Sequence, residues 1–156
     1  MITIAPIPPA FLTRVRTEGL DDLGQPVKRL VAEGGEPCRD VLRRALPGEE
    51  LILASFTPFT QPGPYHEYGP IFVLANGSEE PVRPGTLEQL AGIGYLRERF
   101  VVRAYSAAEE ISDAAMITPE ELPQTVERFL GTPETAFLHV RFPVYGCFAC
   151  RIDRAG

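Results

Sequence analysis

The sequence predicts an α+β fold: a single domain over residues 1–156, with a largely antiparallel sheet, a few short helices and one long Pro/Gly-rich loop. A chain of 156 residues falls within the roughly 100–200 residues typical of one domain. Strand-like segments come in clusters with helical segments inserted irregularly, which is typical of α+β proteins rather than of strictly alternating α/β proteins. The 16 prolines and 14 glycines predict many rigid turns.

The first third of the chain predicts two strands and two helices. Residues 2–7 alternate weakly in polarity, which indicates an edge strand, and residues 27–33 resemble a further strand. Residues 8–18 have helical apolar spacing. A second helix is predicted to begin at Pro37, since proline suits the first helical position, and to end at Pro47-Gly48. Its apolar side chains would share one helical face: Cys38, Val41, Leu42, Ala45 and Leu46.

The middle of the chain predicts the centre of the sheet. Residues 51–56 and 71–75 are apolar at successive positions, so both faces of these strands are expected to be buried. A capping-box pattern at residues 86–89 predicts a short helix that continues to residue 91. Residues 99–105 alternate between apolar and polar positions and form the clearest strand by periodicity.

The last third predicts a helix followed by a hairpin. Thr118 begins a second capping-box pattern, but a continuous helix there would lose a hydrogen bond at Pro123. The helix is therefore expected to begin near Pro123 and to end at Gly131. Residues 136–142 and 145–152 are predicted strands, joined at Pro143-Val144.

Composition narrows the functional classes. The formal net charge is −6, and nucleic-acid binding relies on clustered cations, so no nucleic-acid partner is expected. The longest apolar runs fall far short of the ~18 residues of a membrane span, so no membrane partner is expected either. The first residues lack the features of a signal peptide, and three cysteines are an odd number, so we expect free thiols in the cytoplasm. The sequence indicates no cofactor and no oligomeric state.

The loop over residues 57–70 is the first candidate for function. Loops of more than about 12 residues inside a compact domain are uncommon and are often functional. Its prolines restrict the unfolded chain, so the loop can be rigid at low entropic cost. Tyr65, His66 and Glu67 would offer stacking, proton transfer and charge to a ligand. The alternatives are a lid that merely packs on the sheet and a protein-interaction module that uses Tyr65.

Two strands carry polar side chains that can form a floor beneath this loop. Arg103 and Tyr105 share one face of their strand, and His139 and Arg141 share one face of theirs. If the strands are neighbours, these groups make a cationic surface able to bind a carboxylate or a phosphate. The alternative is ordinary pairing with nearby acidic side chains. The leading hypothesis is binding of a polar or anionic small molecule between the loop and this floor.

The alternative hypothesis is that the protein is an enzyme that uses a cysteine as its nucleophile. A thiol at the start of a helix has a lowered pKa, so Cys38 is a candidate nucleophile for acyl or phosphoryl transfer, with His66 or His139 as the base. Glu67 is a further candidate catalytic residue. Cys38 can equally be a buried structural thiol. Cys147 and Cys150 lie three apart in a predicted strand, where side chains point to opposite faces, so no metal or redox site is expected there.

Several segments together resemble a known family. The long segment at residues 63–73 has many specific residues at fixed spacing, and the other segments that carry the likeness are Glu36-Pro37-Cys38-Arg39, Pro47-Gly48-Glu49, Pro58-Phe59 and Tyr145-Gly146-Cys147-Phe148. The chain, over residues 27–154, resembles the uncharacterised bacterial family known as domain of unknown function 1203. Members of that family commonly have cysteines where this chain has Val41 and near Asn76, which argues against a thiol metal site here. The resemblance implies no activity.

Overall fold

Two five-stranded sheets form the framework of the protein, in a computed structural model that describes residues 1–78, 80 and 86–156. The first sheet has the order β1-β10-β9-β7-β8 and is antiparallel throughout. Its strands are β1 (Ile2–Ala5), β7 (Phe100–Tyr105), β8 (Ile111–Ile117), β9 (Phe137–Arg141) and β10 (Phe148–Arg154). The predicted edge strand at the N-terminus and the C-terminal hairpin are both present.

The second sheet has the order β2-β5-β6-β3-β4, and only the β3–β6 pair in it is parallel. Its strands are β2 (Lys28–Val31), β3 (Pro37–Cys38), β4 (Arg43–Arg44), β5 (Glu50–Phe56) and β6 (Gly69–Leu74). The apolar strands β5 and β6 are interior strands, as predicted, but they belong to a second sheet and not to the single sheet that the sequence predicts. The predicted 57–70 loop connects these two strands over residues 57–68, because Gly69 and Pro70 already belong to β6.

The described helices are short and begin where the sequence indicates. The first, α1 (Pro9–Thr13), continues as a π-helical turn over Arg14–Glu18. The second, α2 (Leu87–Gly92), has the predicted capping box between Thr86 and Gln89. A 3₁₀ turn over Pro119–Glu121 leads into α3 (Leu122–Leu130), where a proline in the first turn loses no intrahelical bond. These elements confirm the α+β class. No helix in the described ranges is both long and apolar enough to cross a membrane.

The helix predicted from Pro37 is wrong. The chain instead forms the short strands β3 and β4, joined by a turn in which Leu42 has a φ of 55°. The backbone N–H of Arg39 donates to Phe72 of β6 at 2.9 Å. Cys38, Val41 and Ala45 are all buried against β5 and β6, so packing between distant segments overrides the helical spacing of these residues.

Strand β8 has no clear signal in the sequence. Four of its seven residues are exposed, so it lacks the alternation that marks a half-buried strand. It forms because its backbone pairs with β7 from Phe100 to Tyr105. The first sheet therefore extends one strand beyond the predicted segment at residues 99–105.

The two faces of the first sheet have different surroundings. On one face, apolar residues of β7, β9 and β10 pack against α2 and α3 in the largest core cluster, which includes Val102, Leu138, Ile152, Leu90 and Val126. The other face meets the second sheet at Phe148, whose ring centroid lies 5.4 Å from that of Phe56. The 57–70 loop covers a further part of this face through Phe59, which packs on Tyr105 and Phe137.

Candidate functional site

Three neighbouring strands bring their polar side chains to the loop-covered face. In the register of β7 and β9, Arg103 is directly opposite His139, and on the other side of β9 His139 is opposite Arg151 of β10. Directly opposite residues in antiparallel strands project to the same face. Arg141 follows His139 by two positions and shares that face. The condition on which the predicted floor depends, that the two strands are neighbours, is met by the pairing of β7 with β9, and β10 adds Arg151, which the sequence reasoning missed.

His139 is completely buried (0% exposed) in an aromatic cage. Four ring centroids lie between 4.7 and 5.2 Å from that of the imidazole, those of Phe59, Tyr105, Phe137 and Phe148. Neither ring nitrogen has a hydrogen-bond partner in the described part of the chain. Burial holds the pKa of His139 well below its ordinary value, and the neighbouring Arg141, Arg151 and Arg103 lower the pKa further. The imidazole is therefore neutral at physiological pH.

Arg141 is the second buried polar group of this face, with 5% of its surface exposed. Its Nη1 donates to the carbonyl of Gly146 at 3.2 Å. Its Nη2 forms an ion pair with Glu67 of the loop. Its Nε is buried and has no partner among the described residues. Within the described residues, the Nε–H of the buried Arg141 guanidinium group therefore has no acceptor.

Glu67 connects the loop to the floor. Its Oε1 pairs with Arg141 Nη2 and lies 3.9 Å from Arg103 Nη1, so one carboxylate oxygen is shared between two guanidinium groups. The Glu67 side chain is 43% exposed. The loop therefore overhangs the cationic residues, and its own carboxylate sits over them.

The base of the loop is fixed by Glu109, a residue without any motif in the sequence. Its carboxylate accepts from the backbone N–H of Thr60 at 2.9 Å, from the Thr60 hydroxyl at 2.7 Å and from the backbone N–H of Gln61 at 3.4 Å. Burial alone would raise the pKa of Glu109, but these hydrogen bonds outweigh it and the pKa is lowered. The β7–β8 connection thereby clamps the loop that joins β5 to β6.

His66 serves the loop rather than the floor. Its Nδ1 lies 2.8 Å from the carbonyl oxygen of Gln61, and its Nε2 lies 3.2 Å from the hydroxyl of Thr57. The ring also packs between Phe59 and Tyr68. Tyr65 is 41% exposed. Of the predicted site residues, the structure gathers Glu67, Arg103, His139 and Arg141, whereas the His66 ring nitrogens are engaged inside the loop.

Cys38 does not fit the predicted role of nucleophile. It lies in β3 of the second sheet rather than at a helix start, and none of its surface is exposed. Burial raises the pKa of its thiol to about 12, and Asp40 adds to the shift. Burial and a raised thiol pKa both disfavour nucleophilic attack, so these observations favour the interpretation of Cys38 as a buried structural thiol.

The other two cysteines also lack a partner thiol, since all three are free. Cys150 is buried inside β10, and burial raises its thiol pKa to about 12. Cys147 precedes β10, is half-buried and accepts a hydrogen bond from Arg39. Across the residues that the structure describes, no group of three His, Cys, Asp or Glu side chains is placed to hold a metal ion.

A wide groove of about 1640 Å³ lies elsewhere, beside Arg39, Arg44 and Cys147. Its buried cations are already engaged, because Arg39 and Arg44 both donate to backbone carbonyls and both pack on the ring of Phe142. The groove is lined by as many glutamates as arginines. Within the described residues, the groove therefore shows neither a buried group without a partner nor an excess of charge that would identify a ligand.

The protein is thus an α+β domain in which a proline-rich loop closes over buried histidine and arginine side chains. Comparison with known protein families matches residues 35–154 to the family described as Protein of unknown function (DUF1203). The chain belongs to this family, as the resemblance predicts, although the match begins at residue 35 rather than 27. No curated protein and no solved structure matches the chain.

Proposed function

We propose that the protein binds a small anionic molecule between the 57–70 loop and the polar face of β7, β9 and β10. The observation that carries this proposal is a set of buried nitrogens that make no hydrogen bond within the described residues: His139 Nδ1, His139 Nε2, Arg141 Nε and Arg141 Nη2, the last of which has only its ion pair with Glu67. Leaving a buried polar group unpaired costs about 1–3 kcal/mol, and such groups are rare in folded proteins. A ligand that hydrogen-bonds to them removes this cost.

The charge of the face favours an anion. Arg103, Arg141 and Arg151 bring three guanidinium groups close to His139, which is itself neutral. Arg151 is neutralised by Asp153, with Nη2 and Oδ1 2.8 Å apart. The single carboxylate of Glu67 is shared by the other two. One positive charge is left over, and because it is partly desolvated it attracts an anion more strongly than an exposed arginine would.

Each residue has a distinct role in this proposal. Arg141 and Arg103 bind the charged group, and the neutral imidazole of His139 offers one donor and one acceptor. Tyr65 lies on the exposed side of the loop and contacts the part of the ligand that faces solvent. His66 and Glu109 hold the loop in position. Catalysis is not part of the proposal.

A thermal-shift measurement with acetate, benzoate, citrate and inorganic phosphate tests the proposal. A ligand at tenfold its Kd stabilises the folded state by about 1.4 kcal/mol, which raises the Tm by about 3–6 °C for a chain of this size. We expect at least one anion to produce this shift in the wild type. Arg103→Gln should abolish the shift, and it should fold because the Arg103 side chain is 31% exposed.

The matched control is Arg128→Gln, which removes an exposed arginine of α3 that stacks on Phe129, remote from the floor. This variant should respond to the anion like the wild type. An absence of any shift at tens of millimolar anion contradicts the proposal. An equal shift in Arg103→Gln and in the wild type contradicts it as well.

A second candidate function is a protein-interaction module, and the exposure of Tyr65 and Tyr68 on the loop favours it. Exposed tyrosines are frequent anchors of interfaces. Light scattering on the wild type and on Tyr65→Ala separates the candidates, because only an interface anchor changes the assembly state. We also propose a cytoplasmic location, which is supported by three unpaired cysteines that suit a reducing compartment.

A further inference from the structure

We propose that the Glu67 carboxylate is an internal substitute for the ligand, and that the ligand is a small carboxylic acid that takes its place on Arg141 and Arg103. This inference rests on the proposed function and specifies its ligand class. It also gives the loop a regulatory role, because the protein's own carboxylate competes with the ligand.

The first argument is the unfilled edge of the Arg141 guanidinium. Nε and Nη2 lie on one edge of the group, and a carboxylate normally occupies such an edge with two parallel hydrogen bonds. Here Glu67 Oε1 forms an ion pair with Nη2, whereas Nε has no partner, and neither nitrogen has a well-aligned hydrogen bond within the described structure. Nη1 is engaged by Gly146 at 3.2 Å. Glu67 therefore fills half of a carboxylate site, and a free carboxylate without a tether can fill all of it.

The second argument is that Glu67 can leave at low cost. Its side chain is 43% exposed, so the carboxylate regains water when it rotates away. The loop backbone need not move, because Glu109 holds Thr60 and the His66 ring is held by Gln61 and Thr57. A change of one side-chain rotamer is enough to open the position.

The third argument concerns charge. A carboxylate that replaces Glu67 leaves the charge beside Arg141 unchanged, so the buried cation is compensated in both states. Binding beside a retained Glu67 would instead place two anions next to each other. Inorganic phosphate, a mixture of monoanion and dianion at neutral pH, also matches a guanidinium edge, but it is bulkier and carries more oxygens than the planar carboxylate that the Arg141 edge already accommodates. The exchange of like for like therefore favours carboxylates.

The test is NMR titration of the ¹⁵N-labelled protein, with the Arg141 Nε–H signal as the direct reporter. Its assignment follows from its loss in Arg141→Lys. The probes are sodium acetate, sodium benzoate and inorganic phosphate at constant ionic strength. The variants are Glu67→Gln, which keeps the size of the side chain but removes its charge, and Glu67→Ala, which removes the carboxamide as well. The control is Glu127→Gln, an exposed glutamate of α3.

We expect acetate or benzoate to bind Glu67→Gln and Glu67→Ala at least tenfold more tightly than the wild type, and to move the Arg141 Nε–H signal. Glu127→Gln should bind like the wild type. Weaker or unchanged carboxylate binding in both Glu67 variants would overturn the inference but leave the proposed anion site standing. Phosphate binding as tight as carboxylate binding would overturn the ligand class. Absence of binding by every probe to every variant would overturn the proposed function together with the inference.

Discussion

Arg39 Nη2 lies 3.1 Å from the sulfur of Cys147, a residue 108 positions further along the chain. The same guanidinium donates from Nε to the carbonyl of Phe148 at 2.8 Å and from Nη1 to the carbonyl of Pro37 at 2.7 Å. Arg39 thus joins two of the segments that carry the family resemblance. It is 2% exposed and forms no ion pair with any carboxylate of the described residues.

Loss of Arg39 should destabilise the protein strongly. Arg39→Gln leaves the carbonyls of Pro37 and Phe148 without their buried donor and removes the stacking on Phe142. We expect the free energy of unfolding in urea to fall by about 3 kcal/mol. Arg99→Gln removes an exposed arginine and is the control. A loss below about 0.5 kcal/mol for Arg39→Gln would show that this contact contributes little.

The three thiols should differ sharply in reactivity. Cys38 and Cys150 are buried and their pKa values are raised to about 12, whereas Cys147 is half-buried next to a guanidinium group. Alkylation of the native protein with iodoacetamide at pH 8, followed by peptide mass spectrometry, should label Cys147 first. Labelling of Cys38 at a comparable rate would restore the hypothesis of a reactive thiol in β3.

His139 should make stability depend on pH. Its pKa is depressed in the folded state, so below about pH 6.5 the unfolded chain binds a proton that the folded protein does not. Stability is then lost as the pH falls, by up to about 1.4 kcal/mol for each pH unit. Urea unfolding between pH 7 and 5 should show this added slope for the wild type and for His66→Gln.

The slope should be absent in His139→Phe, which suits an aromatic cage and cannot be protonated. Both His66→Gln and His139→Phe retain all carboxylates, so the difference between their slopes excludes the contribution of the carboxylates to the pH dependence of stability. Equal slopes in His139→Phe and in the wild type would mean that His139 titrates normally in the folded protein.

The clamp at Glu109 should hold the loop. Glu109→Gln replaces a carboxylate that accepts from Thr60 and Gln61 with a carboxamide that accepts through one oxygen only. Hydrogen exchange at the backbone amides of Thr60 and Gln61 should accelerate about tenfold, which corresponds to about 1.4 kcal/mol. Glu110→Gln changes an exposed neighbour and should leave both rates unaltered. Unchanged protection in Glu109→Gln would place the anchor elsewhere.

The polar floor could be predicted because alternation along a strand determines which residues share a face. The pattern of residues 99–105 placed Arg103 and Tyr105 together, and the pattern around His139 and Arg141 did the same. The sequence does not predict that these two strands are neighbours. The structure shows that they are, because β7 pairs with β9. The periodicity within single strands therefore predicts which residues form the polar floor in β7 and β9. It does not predict that Arg151 of β10 joins them.

Other parts of the site depend on contacts that leave no local trace. Glu109 follows two alanines in the sequence, and nothing marks it as the acceptor for Thr60, 49 positions away. The helix predicted from Pro37 does not form because Arg39 and Asp40 are buried by partners from β6, β10 and the first helical segment. The spacing of apolar residues within a segment contains no information about partners that are distant in the sequence.

The register of β9 has a consequence for how this family can vary. The strand lies between β7 and β10, with Leu138 and Val140 towards the helices and His139 and Arg141 towards the loop. Inserting or deleting one residue in it would turn the strand over. A guanidinium would enter the hydrocarbon interior and a leucine would meet the loop, so loss of folding and loss of the polar floor would come from the same mutation. Length variation is therefore expected in the surrounding turns and not in this strand.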